Sequence, residues 1–239
     1  MPVIQARMLR TKSDTKMGIK IACISDTHNQ HDGIQIPECD ILLHAGDFSY
    51  QGKAIDIIEL DHWFGKLKAS GKVKEIVAIA GNHDWLCERD PSLAASLFKN
   101  CIYLNEQPVE VMGLKIFGSP IQPEFCNWAF NRQRGTEIAR HWAKIPDDTQ
   151  VLVTHGPPWG ILDQVWNRPY NSLTGPENLG CQDLRRRVDE LEQLRLHVFG
   201  HIHDSNGVYV DQATGKKFVN AAICSEEYKP IQPVHIIEL

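Results

Sequence analysis

From residue 19 to the C-terminus, short apolar runs end in polar clusters, and patterns of helical spacing lie between them. Ile19–Ile24 reads as a first strand ending at Ser25-Asp26-Thr27-His28, and Asp40–His44 as a second ending at Gly46-Asp47. Over residues 54–67 apolar side chains recur at helical spacing. A third strand is expected at Glu75–Ala80, running into Gly81-Asn82-His83-Asp84. This is a β-α-β pattern with short loops, the signature of a parallel sheet. A short helix is expected around Leu93–Phe98. Val109–Val111 and Lys115–Phe117 flank Met112-Gly113-Leu114 as a hairpin would, which makes the sheet content mixed. Further on come a helix over Thr136–Lys144, a strand over Val151–Thr154 ending at His155, a polar helix near Cys181–Leu194 and a strand over His197–Phe199 ending at Gly200-His201-Ile202-His203. Val208–Val210, Lys217–Asn220 and Val234–Glu238 read as closing strands. No repeat and no composition shift marks a linker, so residues 19–239 are expected to form one α/β domain behind a basic, flexible arm at 1–18.

Composition narrows the function classes. With 42% apolar and 23% charged residues the chain has the balance of a folded globular protein. No run approaches the ~20 apolar residues of a membrane-spanning helix, and no secretory leader is evident, so no membrane partner is expected. Seven cysteines form an odd set without any CxxC spacing, which argues against a disulfide framework or a zinc-thiolate site and for a reducing cytoplasm. The net charge is −5, and residues 1–20 carry five cations against Asp14, so the remainder is still more acidic. Long nucleic acid is therefore not the expected partner.

Five polar clusters directly follow five apolar strands, and ligands in α/β sheets collect at the carboxyl ends of strands. They supply Asp26, His28, Asp47, Asn82, His83, Asp84, His155, His201 and His203. This set holds carboxylate, imidazole and amide but no thiolate, and it suits Mn²⁺, Fe²⁺ or Zn²⁺. Each cluster alone is a weak signal, since Gly-Asp is a common turn and a strand-end His is more often structural. Their conjunction in this order is a strong one.

In this arrangement the chain resembles the calcineurin-like metallophosphoesterase superfamily, whose pattern D-x-H, G-D, G-N-H-D/E, H, G-H-x-H is matched throughout. Gly118-Ser119-Pro120, Trp128-Ala129-Phe130-Asn131 and Thr154-His155-Gly156-Pro157-Pro158 are similar to the metallophosphoesterase-domain (MPPED) group of phosphodiesterases. The resemblance implies a four-layer α-β-β-α sandwich of two mixed sheets flanked by helices. It also implies two metal ions, Mn²⁺ or Fe²⁺/Fe³⁺ with Zn²⁺ as an alternative. Asp26, His28, Asp47 and His203 would hold one ion, and Asp47, Asn82, His155 and His201 the other. A hydroxide between ions roughly 3.5–4 Å apart would attack phosphorus in line. His83, not needed as a ligand, would be the general acid, held cationic by Asp84.

The expected reaction is hydrolysis of small phosphodiesters, cyclic nucleotides foremost, and the expected partner is a small phosphoester or nucleotide. The alternatives are a phosphomonoesterase or phosphoprotein phosphatase, a nuclease, and a non-catalytic metal-dependent nucleotide-binding or scaffold protein. The loop over 159–180 is the expected specificity segment, with Trp159, Asn131 and Arg132 as candidate substrate contacts. His44 reads as a core residue, His31 as a residue at the cleft mouth, and Arg185-Arg186-Arg187 as a solvated helix face.

Overall fold

The structure, a computed structural model, describes residues 18–166 and 175–239. Except for Gly18, the expected basic arm lies outside the described residues, as does the part of the expected specificity loop over 167–174. The elements run β1 (Lys20–Ile24), β2 (Cys39–Ala45), α1 (Ala54–Ala69), β3 (Val73–Ile79), α2 (Trp85–Arg89), α3 (Pro91–Leu97), β4 (Ile102–Tyr103), β5 (Gln107–Val111) and β6 (Leu114–Ser119). They continue with β7 (Gln122–Pro123), β8 (Asn131–Arg132), α4 (Thr136–Trp142), β9 (Val151–Thr154), β10 (Gln164–Val165), β11 (Glu177–Asn178) and α5 (Gln182–Glu190). The last strands are β12 (Leu196–Phe199), β13 (Gly207–Val210), β14 (Lys217–Asn220) and β15 (His235–Glu238).

Two differences from the expected elements are local. The expected short helix near Leu93–Phe98 is found as α3, starting at Pro91 with the Asp90 carboxylate accepting the Leu93 N–H at 3.0 Å, and it is preceded by α2, a one-turn helix outside the expected elements. The helix α5 stops at Glu190, where the Val188 carbonyl accepts both the Leu191 N–H at 3.4 Å and the Lys216 ammonium at 2.8 Å.

The strands form two large mixed sheets, ordered β15-β1-β2-β3-β4 and β13-β14-β12-β9-β6-β5. In each, the central strands are parallel and an edge strand runs antiparallel. Alternation along β1 shows how one strand serves two layers. Ile21 and Cys23 join Ile41, Val77, Val151 and Val198 in an apolar seam between the sheets. Ala22 and Ile24 join the other cluster, which includes Ile57, Leu60 and Phe64 of α1 and Leu184 and Val188 of α5. The result is the expected sandwich of two sheets with helices on the outer faces. β1, β2 and β3 are parallel in one sheet and β9 and β12 in the other, and every strand-end cluster singled out above follows one of these five strands.

Beneath that edge, two buried histidines lock the strands. His44 lies within 3.1 Å of the Thr27 hydroxyl, and His197 within 2.8 Å of Thr154 Oγ1, which itself donates to the Gly156 carbonyl at 2.7 Å. Burial pushes the His197 pKa down to about 3, so the folded protein keeps it neutral. The unfolded chain takes that proton below about pH 6.5, so the stabilising contribution is complete above that pH and is lost as pH falls. Between pH 6.5 and 5 the expected loss is about 2 kcal/mol. Urea unfolding of metal-free protein at the two pH values should show a steeper loss for the wild type than for His197→Gln. Equal losses would remove His197 as the cause.

Candidate metal and phosphoester site

The strand ends converge. Ligand-type atoms of Asp26, His28 and His203 lie within 4.8 Å of one another, as do those of His28, Asp47 and His83, and those of Asp47, His155 and His201. Four site residues that are not glycine, Asp26 (φ 52°), His28 (φ 40°), Asp47 (φ 51°) and His201 (φ 66°), occupy the left-handed region. Such strain concentrates where a structure must aim side chains at one point. Two glycines make room for the carboxylates. A Cβ on Gly81 would sit 2.3 Å from Asp47 Oδ1, 2.5 Å from the Asp47 backbone nitrogen and 2.6 Å from His155 Cε1. A Cβ on Gly200 would sit 2.0 Å from Asp26 Oδ2. Because part of the Gly81 clash is with backbone, Gly81→Ala is expected to cost about 1–3 kcal/mol of stability and to weaken metal binding. Thermal melting with and without added Mn²⁺ checks this, and a variant matching the wild type in both would contradict it.

The imidazoles share one supporting device. Nδ1 of His28 faces the Ser49 carbonyl at 3.2 Å, that of His83 the Tyr50 carbonyl at 3.0 Å, that of His155 the Ala45 carbonyl at 3.0 Å, and that of His203 the Ser225 carbonyl at 3.0 Å. A carbonyl only accepts, so each Nδ1 donates and each Nε2 is left to face the site. There, acceptors crowd. His28 Nε2 and His203 Nε2 are 3.4 Å apart, and His155 Nε2 lies 2.9 Å from Asn82 Oδ1 and 3.4 Å from Asp47 Oδ2. Such a cluster calls for positive charge. Burial alone would push His155 and His203 down, but Asp47 beside the first and Asp26 beside the second raise both to about 9. Burial likewise pushes the carboxyls of Asp26 and Asp47 up, and the neighbouring imidazoles more than offset it, leaving both below the usual range. Burial holds His28 at about 4 and His201 at about 3. Protons fill the site when cations do not, and the donor set of carboxylate, amide and imidazole fits divalent ions of borderline hardness.

Asp84 is placed differently from the sequence expectation. Its carboxylate does not hold His83; it accepts from Ser49 Oγ at 2.7 Å, Ser49 N at 3.1 Å and Gly81 N at 2.7 Å. It fastens the loop after β2 to the loop after β3. Burial and the nearby Asp47 push its pKa well up. The carboxylate beside His83 is that of Asp47, whose Oδ1 accepts the His83 backbone N–H at 2.8 Å and whose Oδ2 lies 3.9 Å from His83 Nε2.

A cavity of about 570 Å³ opens over the cluster, lined by Asp47, Asn82, His83, His201 and His203. The three expected substrate contacts are not part of its wall. Asn131 spends its amide on the Phe125 and Cys126 carbonyls, and Arg132 pairs with Glu88; both line a separate, smaller hollow. Trp159 is exposed and its backbone N–H donates to Cys181. The wall instead contains Phe125, Trp128, Arg134, Tyr228 and, from the expected specificity segment, Val165, Glu177 and Leu179. Trp128 had a sequence signal, since it sits in a motif of the resembled group; Tyr228 stands alone in a loop and had none. His31 lies away from the mouth, buried against Trp63 at a ring separation of 5.5 Å. Arg185 and Arg186 pair with Asp189 and Asp183 on the surface of α5, as a solvated face would, whereas Arg187 is largely buried and donates to the Ile145 carbonyl at 2.6 Å besides pairing with Asp147 and Glu190.

The family model described as calcineurin-like phosphoesterase matches residues 19–205. The chain belongs to the calcineurin-like phosphoesterase family. It is 37% identical over 243 residues to human metallophosphoesterase domain-containing protein 1, covering 92% of this chain and 71% of that protein. It is 33% identical over 222 residues to a UPF0046 protein of Caenorhabditis elegans, covering 87% of this chain and 71% of the relative. Among solved structures it is similar to an archaeal phosphodiesterase, at 15% identity and a TM-score of 0.43, covering 92% of this chain and all of that one. As a calcineurin-like phosphoesterase the chain is of phosphoester-hydrolase type, and its described helices include none long and apolar enough to cross a membrane.

Proposed function

We propose that this chain is a dinuclear metal-dependent phosphodiesterase acting on small diesters, cyclic nucleotides foremost. The observation that carries this reading is the meeting of acceptors around Asp47, with His28 and His203 facing each other at 3.4 Å on one side and His155 and Asn82 at 2.9 Å on the other. Asp26, His28, Asp47 and His203 would hold one ion, and Asp47, Asn82, His155 and His201 the other. Bound there, the ions supply Lewis-acid polarisation of the phosphoryl oxygens and of the attacking water. Mn²⁺ or Fe²⁺/Fe³⁺ fits these donors, with Zn²⁺ as the alternative.

The chain's own residues supply the rest. The backbone carbonyls behind the four Nδ1 atoms fix which nitrogen of each ring faces the ligand, the arrangement that orients metal-binding imidazoles elsewhere. His83 keeps Nδ1 donating to the Tyr50 carbonyl, so when the ring also carries a proton on Nε2, as an imidazolium, that proton is the one it would deliver to the departing ester oxygen. Asp84 holds the two loops carrying Asp47 and His83 in register.

Charge at the rim favours a diester. Glu124, Glu177, Asp204 and Glu226 line the cavity together with Arg134, whose guanidinium donates to the Leu179 and Gly180 carbonyls at 2.8 Å each, so carboxylates outnumber guanidinium and ammonium groups among its described lining residues. A monoester dianion meets more repulsion from that rim than a diester monoanion, and a polyanionic nucleic acid meets more still. The cavity volume falls within the range of small-molecule sites.

Comparison of bis(p-nitrophenyl) phosphate with p-nitrophenyl phosphate, followed by cyclic nucleotides, tests the substrate class. The diester is expected to turn over faster at equal Mn²⁺. Turnover confined to the monoester would replace this reading with a phosphatase.

A further inference from the structure

We propose that Trp128 is the residue that positions His83 for proton delivery, a role that rests on the reading of His83 as the acid. The indole of Trp128 lies against the His83 imidazole with ring centroids 4.2 Å apart and planes 31° from parallel. His28 meets the same imidazole edge-on at 4.8 Å and 80°. The bond from Nδ1 to the Tyr50 carbonyl anchors one ring atom, and a ring held at one atom can still pivot about that point. A flat surface against its face removes the pivot and fixes where Nε2 lies.

The surface is itself held. Trp128 sits in the loop between β7 and β8, and that loop is bonded to the His83 segment by the Ala129 N–H donating to the Asn82 carbonyl at 3.1 Å. The Gln122 amide donates to Asn131 Oδ1 at 3.1 Å and closes the base of the loop. Further along, Trp85 lies 6.5 Å from Trp128 with planes 32° apart, and the Arg89 guanidinium caps Trp85 at 4.4 Å. A column of arginine, two indoles and imidazole thus runs from the outside of α2 to the acid. With one indole face given to His83, Trp128 acts through that residue and not as a platform for the substrate.

The test uses Mn²⁺-loaded wild type, Trp128→Leu, Trp128→Phe and His83→Asn with two diesters of unequal leaving group, bis(p-nitrophenyl) phosphate and diphenyl phosphate. The more basic phenolate needs the proton more. Trp128→Leu is expected to lose roughly 10- to 100-fold in kcat on diphenyl phosphate, far less on the nitrophenyl diester, with KM little changed, and Trp128→Phe to recover most of the loss. An equal loss on both substrates, or a change in KM alone, overturns the positioning role. If His83→Asn itself shows no leaving-group dependence, the acid reading fails first. If it does and Trp128→Leu does not, only the role of Trp128 fails. A second readout needs no turnover: in metal-free protein the His83 ring protons, assigned by their absence in His83→Asn, should lie upfield under the indole ring current and move downfield in Trp128→Leu. Unmoved signals would overturn the proposal.

Discussion

Asp47→Asn is expected to leave a folded protein that no longer holds two metal ions and has lost nearly all turnover. The fold should survive because Asn is among the few residues that tolerate the left-handed backbone found here at φ 51°. Its amide oxygen can still accept the His83 N–H, a contact that Asp47 makes at 2.8 Å. What disappears is the charge. Asp47 Oδ2 lies 3.4 Å from His155 Nε2, 3.9 Å from His83 Nε2 and 4.0 Å from His28 Nε2, so it is the carboxylate common to both halves of the site. Losing a residue shared by both ions should cost more than the roughly 10- to 100-fold that follows loss of a supporting hydrogen bond. Metal analysis of the purified variant, alongside its rate on bis(p-nitrophenyl) phosphate, checks both parts. Two bound ions with normal turnover would contradict the account.

His83→Asn is expected to separate binding from chemistry. The side chain is adjacent to Asn82 but contributes to neither proposed ligand set, so both ions should remain. On a diester with a basic leaving group such as diphenyl phosphate the rate should fall by roughly 10²–10⁴-fold, the usual contribution of a positioned general acid. The loss should be in kcat, because the proton is needed only as the ester bond breaks. An Asn keeps hydrogen-bonding capacity toward the Tyr50 carbonyl but has no proton to give. Metal content below two, or a loss confined to KM, would move His83 from proton donor to ligand or substrate anchor.

The convergence of the strand-end residues was legible in the sequence because two independent patterns coincide. Alternating and continuous apolar runs mark β1, β2, β3, β9 and β12, and each polar cluster sits at the end of one of them. Parallel pairing gathers the ends of β1, β2 and β3 at one edge of one sheet and those of β9 and β12 at one edge of the other, and the packing of the two sheets brings Asp26, Asp47, Asn82, His155 and His203 together. Side-chain direction was not legible. Asp84 follows His83 in the chain, yet its carboxylate turns back to Ser49 and Gly81. Nor did sequence rank the loop tryptophans, since Trp128 lies in one motif of the resembled group and Trp159 directly follows another. One backbone bond, Ala129 N–H to the Asn82 carbonyl, places Trp128 at the cleft. Asn131 and Arg132 show the converse, since a motif position close to the site is spent on closing its own loop.

Fold alone does not confer activity; the site must carry it. The most direct measurement is therefore a metal titration of chelator-stripped protein with Mn²⁺, following bis(p-nitrophenyl) phosphate hydrolysis and bound metal together. The account predicts no turnover in the stripped protein and a rate that rises to saturation as two ions per chain are bound. Turnover that survives stripping, or two bound ions without any turnover, would contradict it.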